Sequence, residues 1–117
     1  MKWFNQQQVK LACLVVWALA IWIGSLMPSP PPAVVENGDK VQHFFGYAVL
    51  ACLAFRVAQR YALVWFFAAL MGVGVEIAQS FTPWRTFDIG DMLANALGAV
   101  IGLLICRFLV WRKIQFL

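Results

Sequence analysis

Between Leu11 and Met27 the chain reads LACLVVWALAIWIGSLM, and the only polar side chain in it is Ser25. A run this long and this apolar matches a membrane span, because about 20 residues at about 1.5 Å each cross a hydrocarbon core of roughly 30 Å. Comparable runs extend from Asp39 to Phe55, from Tyr61 to about Ser80, and from Asp88 or Asp91 to about Trp111. Four spans use about 80 residues and leave only short links and tails in a chain of 117. Charged residues make up 12% of the sequence, where about 25% is ordinary for a soluble domain. So few polar groups cannot cover the surface of a small water-soluble protein. A soluble domain, a disordered chain and a disulfide framework are therefore excluded, and no room remains for a nucleotide-binding fold. The expected architecture is all-α. It is a single polytopic membrane domain over residues 1–117, with a compact bundle of four transmembrane helices at about 9–27, 39–56, 61–80 and 89–111.

Punctuation between the runs agrees with this division. Prolines at 28, 30, 31 and 32 end the first run, since proline lacks a donor and clashes with the preceding turn; they predict a stiff extended strap. No A-x-A-like site follows the first run, so it is expected to stay rather than be cleaved as a signal peptide. Asp39-x-x-Gln42 reads as a capping box for the second helix, Asp88 as an N-cap for the fourth, and Pro83 as the break after the third. Gly98-x-x-x-Gly102 predicts a close-packing face, which fits a contact within the bundle or one between two copies. The cysteines at 13, 52 and 106 have no metal-like spacing and read as buried small apolar residues.

Charge position says more than charge sum. The formal +4 is no nucleic-acid footprint, because the bases follow helix ends. Lys2, Lys10, Arg56, Arg60, Arg107, Arg112 and Lys113 share one side of a four-span topology, and Lys40 and Arg85 fall on the other. The positive-inside rule then predicts both termini in the cytoplasm. All the acids (Glu36, Asp39, Glu76, Asp88, Asp91) and the single histidine, His43, fall on the outer half. That rule says little about acids, so their gathering at one face suggests a site there.

Spacings of three and four place residues on one face of a helix. Asp39, His43 and Tyr47 share a face of the second helix with Lys40 at its border. Glu76 and Gln79 share one on the third, and Asp91, Asn95, Gly98 and Gly102 one on the fourth. Ionisable groups inside a membrane span are costly and usually face a bundle interior or a watery cavity.

The ordered series Asp39-Lys40-x-x-His43-x-x-x-Tyr47, Glu76-x-x-Gln79, Pro83-x-Arg85 and Asp91-x-x-x-Asn95-x-x-Gly98-x-x-x-Gly102 resembles the VanZ-like family. These are small bacterial membrane proteins named after a teicoplanin-resistance protein. The resemblance covers roughly residues 39–102. It implies a four-helix membrane fold and a link to the bacterial envelope, but no particular reaction.

From the residues themselves, His43, Glu76 and Asp91 are the candidate catalytic groups: an imidazole suited to acid–base work near neutral pH, flanked by carboxylates. The alternative for each is a hydrogen bond or ion pair that holds helices together. Asp39, Lys40, Tyr47, Gln79, Arg85 and Asn95 are the candidate substrate contacts. Arg85 and Lys40 together suit a phosphate or lipid headgroup, or else pair with Asp88 and Asp39. Glu76, Asp91 and Asn95 offer oxygens to Mg²⁺ or Ca²⁺, but no spacing is diagnostic and no metal ligand or cofactor is assigned. The expected activity lies in the bacterial cytoplasmic membrane, on a phosphate-bearing lipid or lipid-linked envelope precursor. A non-catalytic envelope-binding or accessory protein is the second reading. A transporter is the third, weakened because acids at one end make no through-path.

Overall fold

A computed structural model describes residues 5–28 and 38–114, with backbone only at Gly38 and Asp39. Four helices follow one another: α1 (Gln6–Leu26), α2 (Gly38–Ala58), α3 (Tyr61–Ser80) and α4 (Ile89–Trp111). Each is long and apolar enough to cross a membrane, and the described residues contain no strand. Lys2, Trp3, Glu36, the Asp39 side chain and the proline strap from residue 29 onward lie outside the described residues.

Local chemistry sets the helix ends. α1 starts ahead of its apolar run because Asn5 and Gln8 form a reciprocal capping box: the Gln8 N–H donates to Asn5 Oδ1 (2.7 Å) and the Asn5 N–H to Gln8 Oε1 (3.0 Å). It stops at Leu26 because Met27 is extended (φ −75°, ψ 149°), the conformation that a following proline imposes. α2 already includes Gly38, so Asp39 sits inside the first turn and is not the N-cap expected from Asp39-x-x-Gln42. α2 closes on Gln59 in the left-handed region (φ 54°), whose N–H donates to Phe55 O at 2.8 Å. That residue turns the chain into α3 within two positions. Asp88 does cap α4, its carboxylate accepting from the Gly90 N–H at 2.8 Å.

α2 and α4 form the central pair. A Cβ added at Gly98 would collide with the Phe44 carbonyl, and one at Gly102 with the Ala48 carbonyl. Both glycines thus let the two backbones touch, as small residues do between membrane helices. The Gly98/Gly102 stripe is thereby consumed within the chain and presents no face to a second copy. Ala51, Ala68 and Ala99 are fully buried, with Leu50, Val64 and Val75, in the same core. The outward faces are apolar instead, with Leu70, Val16, Leu97 and Leu104 all more than half exposed, as suits side chains facing lipid. Cys52 donates to Gly102 O (3.3 Å) and lies against Cys106. Cys13, expected to be buried, is exposed on the outward face of α1.

α1 is peripheral, packing on α2 and α3 without touching α4. Side-chain donors tie it and its neighbours to backbone carbonyls. Trp17 Nε1 donates to Gly46 O (2.9 Å), Gln79 Nε2 to Ser25 O (2.8 Å) and Trp84 Nε1 to Leu26 O (3.2 Å). Ser25 and Leu26 belong to the last turn of α1, whose carbonyls have no partner within the helix.

Candidate functional site

The alternating helices bring the end of α1, the start of α2, the end of α3 and the start of α4 to one end of the bundle. The polar side chains converge there. At the first turn of α2, Lys40 Nζ lies 2.9 Å from Asp88 Oδ2 and 3.5 Å from Asp91 Oδ1. The Lys40 hydrogen bond holds the Asp88 carboxyl below the ordinary carboxylate range.

One turn deeper, His43 Nδ1 lies 2.9 Å from Asn95 Oδ1, while Nε2 is 3.8 Å from Asp91 Oδ2. The first is a hydrogen bond; the second is too long to be one. With Asn95 Oδ1 as acceptor, Nδ1 carries a proton. A further turn down, Tyr47 is buried with no partner for its hydroxyl among the described residues.

α3 contributes Glu76, which is fully buried. Its Oε1 accepts the backbone N–H of Asp88 at 3.0 Å, which fixes the entry into α4, while Oε2 has no partner among the described residues. Glu76 lies within electrostatic reach of Tyr47, Arg85 and Asp91. Gly72, one turn deeper on the same face, leaves room for the Asn95 amide: a Cβ there would sit 3.0 Å from Asn95 Nδ2. That Nδ2 is also buried without a partner among the described residues. Three helices therefore each bring to this end a buried group without a partner among the described residues: an acid oxygen, a phenol and an amide.

Of this cluster only His43 and Tyr47 line a cavity of about 280 Å³ between α1 and α2, whose other walls include Trp17, Ile21, Ser25 and Arg85. The α1 wall is mostly apolar. Arg85 reaches the cavity from the loop between α3 and α4, and among the described residues it makes no salt bridge. Its Nε is buried without a partner among them.

The sequence-derived candidates thus divide. His43, Tyr47, Glu76, Arg85, Asp91 and Asn95 are brought together. Lys40 is turned away from the cavity: it pairs with Asp88 and Asp91 and borders a separate, almost wholly apolar groove between α2 and α4. Gln79 ties α3 to α1 through Ser25 O. Among the described residues no three His, Cys, Asp or Glu side chains are arranged to hold a metal, and the Lys40 ammonium occupies the space between Asp88 and Asp91. Sequence reasoning missed Trp17 and Gly46 as cavity walls, because nothing in one helix's spacing shows which face meets a neighbour. Asp88 was read as a cap, yet it also carries the Lys40 pair and, through its N–H, the Glu76 contact.

A four-span helical membrane protein with a buried acid, imidazole, amide and phenol cluster at one end is the class that fold and site define. The VanZ/LLP1 family model matches residues 3–111, and the chain belongs to that family. It is also similar to an uncharacterized protein of the fission yeast Schizosaccharomyces pombe, with 30% identity over 103 residues covering 83% of this chain. The chain spans 64% of that relative's length. No solved structure matches the chain.

Proposed function

We propose that this end of the bundle binds the anionic headgroup of a phosphate-bearing membrane lipid, or lipid-linked envelope intermediate, and acts on it. The observation that carries this reading is Arg85, whose guanidinium borders a cavity shared with His43 and Tyr47 and makes no salt bridge among the described residues. Guanidinium is the side-chain group best matched to phosphate oxygens. His43 is the acid–base or nucleophilic group. Asn95 orients its ring through Nδ1 and leaves Nε2 beyond hydrogen-bond range of Asp91. The site faces away from the cytoplasm in the bacterial inner membrane, and both termini are cytoplasmic. Altered glycopeptide tolerance follows where the lipid concerned carries the antibiotic's target. The similarity to a yeast protein favours a phosphate lipid common to many membranes over one peculiar to bacterial walls.

A non-catalytic reading, in which the headgroup is bound and sequestered, draws on the same ring: Nδ1 is tied to Asn95 Oδ1 at 2.9 Å, a contact between α2 and α4 that holds the helices together without any reaction. Protein in phosphatidylcholine nanodiscs, offered radiolabelled envelope lipids, separates the two. The catalytic reading expects product from wild type, none from His43→Ala, and binding lost in Arg85→Gln. Saturable binding without product selects the second reading, and unchanged binding by Arg85→Gln overturns both.

A further inference from the structure

α2 and α4 run in the same direction, and their contact keeps one register. Gly98 faces Phe44, and Gly102 faces Ala48 one turn further on. A Cβ added at either glycine would lie 3.0 Å from the α-carbon opposite. Allowing a carbon–carbon bond of about 1.5 Å, each pair of α-carbons is within about 4.5 Å. One more step of four along each helix reaches Cys52 and Cys106. Helices held this close over two successive turns separate little by the third. The α-carbons of the two cysteines therefore stay within the roughly 4.4–6.8 Å that a disulfide spans.

The side chains agree with the backbone. The Cys52 thiol donates to Gly102 O at 3.3 Å, the carbonyl four residues before Cys106 on the same helix. The two thiols also lie within hydrogen-bond reach of each other. Packing alone does not call for sulfur here. Where the same core needs only a small side chain it uses alanine, at Ala51, Ala54, Ala68 and Ala99. Cys106 is buried and Cys52 is partly exposed. On the preceding turns of the Cys52 face, Val49 and Phe45 are exposed and apolar. A reagent that reaches this thiol therefore comes out of the bilayer rather than from water.

We propose that Cys52 and Cys106 are a reversible dithiol, closed to a disulfide by a quinone dissolved in the bilayer. Two S–H bonds break and one S–S bond forms, and both electrons and both protons leave on the quinol. A thiol reductant reopens the pair by exchange. Closure clamps together the two helices that carry His43 and Asn95, whose own contact joins them nearer the polar end. Neither cysteine lines the cavity beside Arg85, so the pair stands whether or not a headgroup binds there.

The test uses the full wild-type chain in phosphatidylcholine nanodiscs, reduced and then given decylubiquinone, whose fully substituted ring accepts electrons without alkylating thiols. A parallel arm supplies hydrogen peroxide from the water. The protein is then opened in denaturing detergent with N-ethylmaleimide, and its peptides are mapped by mass spectrometry. Maleimide on Cys52 and Cys106 should fall at least tenfold after quinone, and a peptide linking the two should appear. Cys13 should stay reactive, and dithiothreitol should restore both other thiols. The oxidised protein should elute as before and need more denaturing detergent to unfold, because a cross-link constrains the unfolded chain. Cys52→Ala and Cys106→Ala should show no oxidant-dependent shift. Thiols that stay fully alkylated in both arms overturn the proposal and leave the pair as packing. Linkage through Cys13, or linkage that forms only once the chain is unfolded, overturns it too. Closure by peroxide but not by the quinone overturns the bilayer oxidant and leaves the dithiol standing.

Discussion

Lys40 on α2 and Asp88 at the threshold of α4 meet at 2.9 Å, and the same carboxylate caps α4 through the Gly90 N–H. One side chain thus joins the two central helices and starts one of them. The Lys40 hydrogen bond lowers the Asp88 pKa from 3.8. Stability from a depressed carboxylate is present above its unfolded pKa and lost as pH falls through the folded value. Thermal unfolding of the detergent-solubilised protein should therefore show no Asp88-dependent slope from pH 7 to 5, and a decline below about pH 4. Asp88→Asn keeps the cap but removes the charge, so it should cost only about 0.2–1 kcal/mol, as fits a partly exposed pair. Asp88→Ala should cost about 1 kcal/mol more.

Gly98 offers a steric prediction independent of any ligand. A Cβ there meets the Phe44 carbonyl, which belongs to backbone and cannot swing aside. Gly98→Val should destabilise by about 1–3 kcal/mol or more, read as loss of helical signal on titration with a denaturing detergent. Gly24→Ala, which meets nothing within 4 Å, should unfold at or above the wild-type midpoint. Equal behaviour of the two would mean that α2 and α4 do not touch at this point.

What the sequence revealed and what it hid divide along a physical line. Span length and the charged ends of spans are properties of one helix, so four helices were legible. The shared faces of His43 with Tyr47, and of Asp91 with Asn95, follow from spacing within single helices too. Which faces meet is a property of pairs. For that reason Gly98-x-x-x-Gly102 fitted both an internal and an external partner until α2 was seen against it. Lys40 and Arg85 read either as a pair of headgroup cations or as partners of Asp88 or Asp39, and only the packing of α2 on α4 selects Asp88 for Lys40. Cys13 fell among apolar neighbours, which in lipid does not imply burial. The α1–α2 cavity was invisible in principle, since its lining comes from two helices and a loop whose packing no single helix's spacing reveals.

Orientation in the membrane has its own measurement. Lys10, Arg56, Arg60, Arg107, Arg112 and Lys113 lie at the bundle end opposite the polar cluster, and such residues favour the cytoplasmic side. In a bacterial host, a periplasm-active reporter fused after Leu117 should be silent, and one inserted near Pro83 should be active. The reverse pattern would place the cluster at the cytoplasmic face.

Gln79 should prove a structural tie and no part of the chemistry. Its amide donates to Ser25 O at 2.8 Å inside a fully buried contact, and a net hydrogen bond of this kind contributes about 0.5–1.5 kcal/mol. Gln79→Leu should speed amide exchange in the last turn of α1 while leaving exchange in α4 unchanged. Loss of protection spread across all four helices would contradict that assignment.

Glu76 separates a structural acid from a reactive one. Its Oε1 holds the Asp88 N–H at the start of α4, while Oε2 stands buried and unpartnered among the described residues. Glu76→Gln keeps an oxygen for the N–H and exchanges the other oxygen for an amide, so the fold should survive with a change within about 1 kcal/mol. Glu76→Leu removes the acceptor and strands a buried N–H, and should cost about 1–3 kcal/mol. If the carboxylate moves a proton or orients the headgroup, the folded Gln variant should lose lipid turnover or binding by tenfold or more. If it only anchors α4, that variant should match wild type in both, and the cluster's chemistry would then rest on His43 and Asp91.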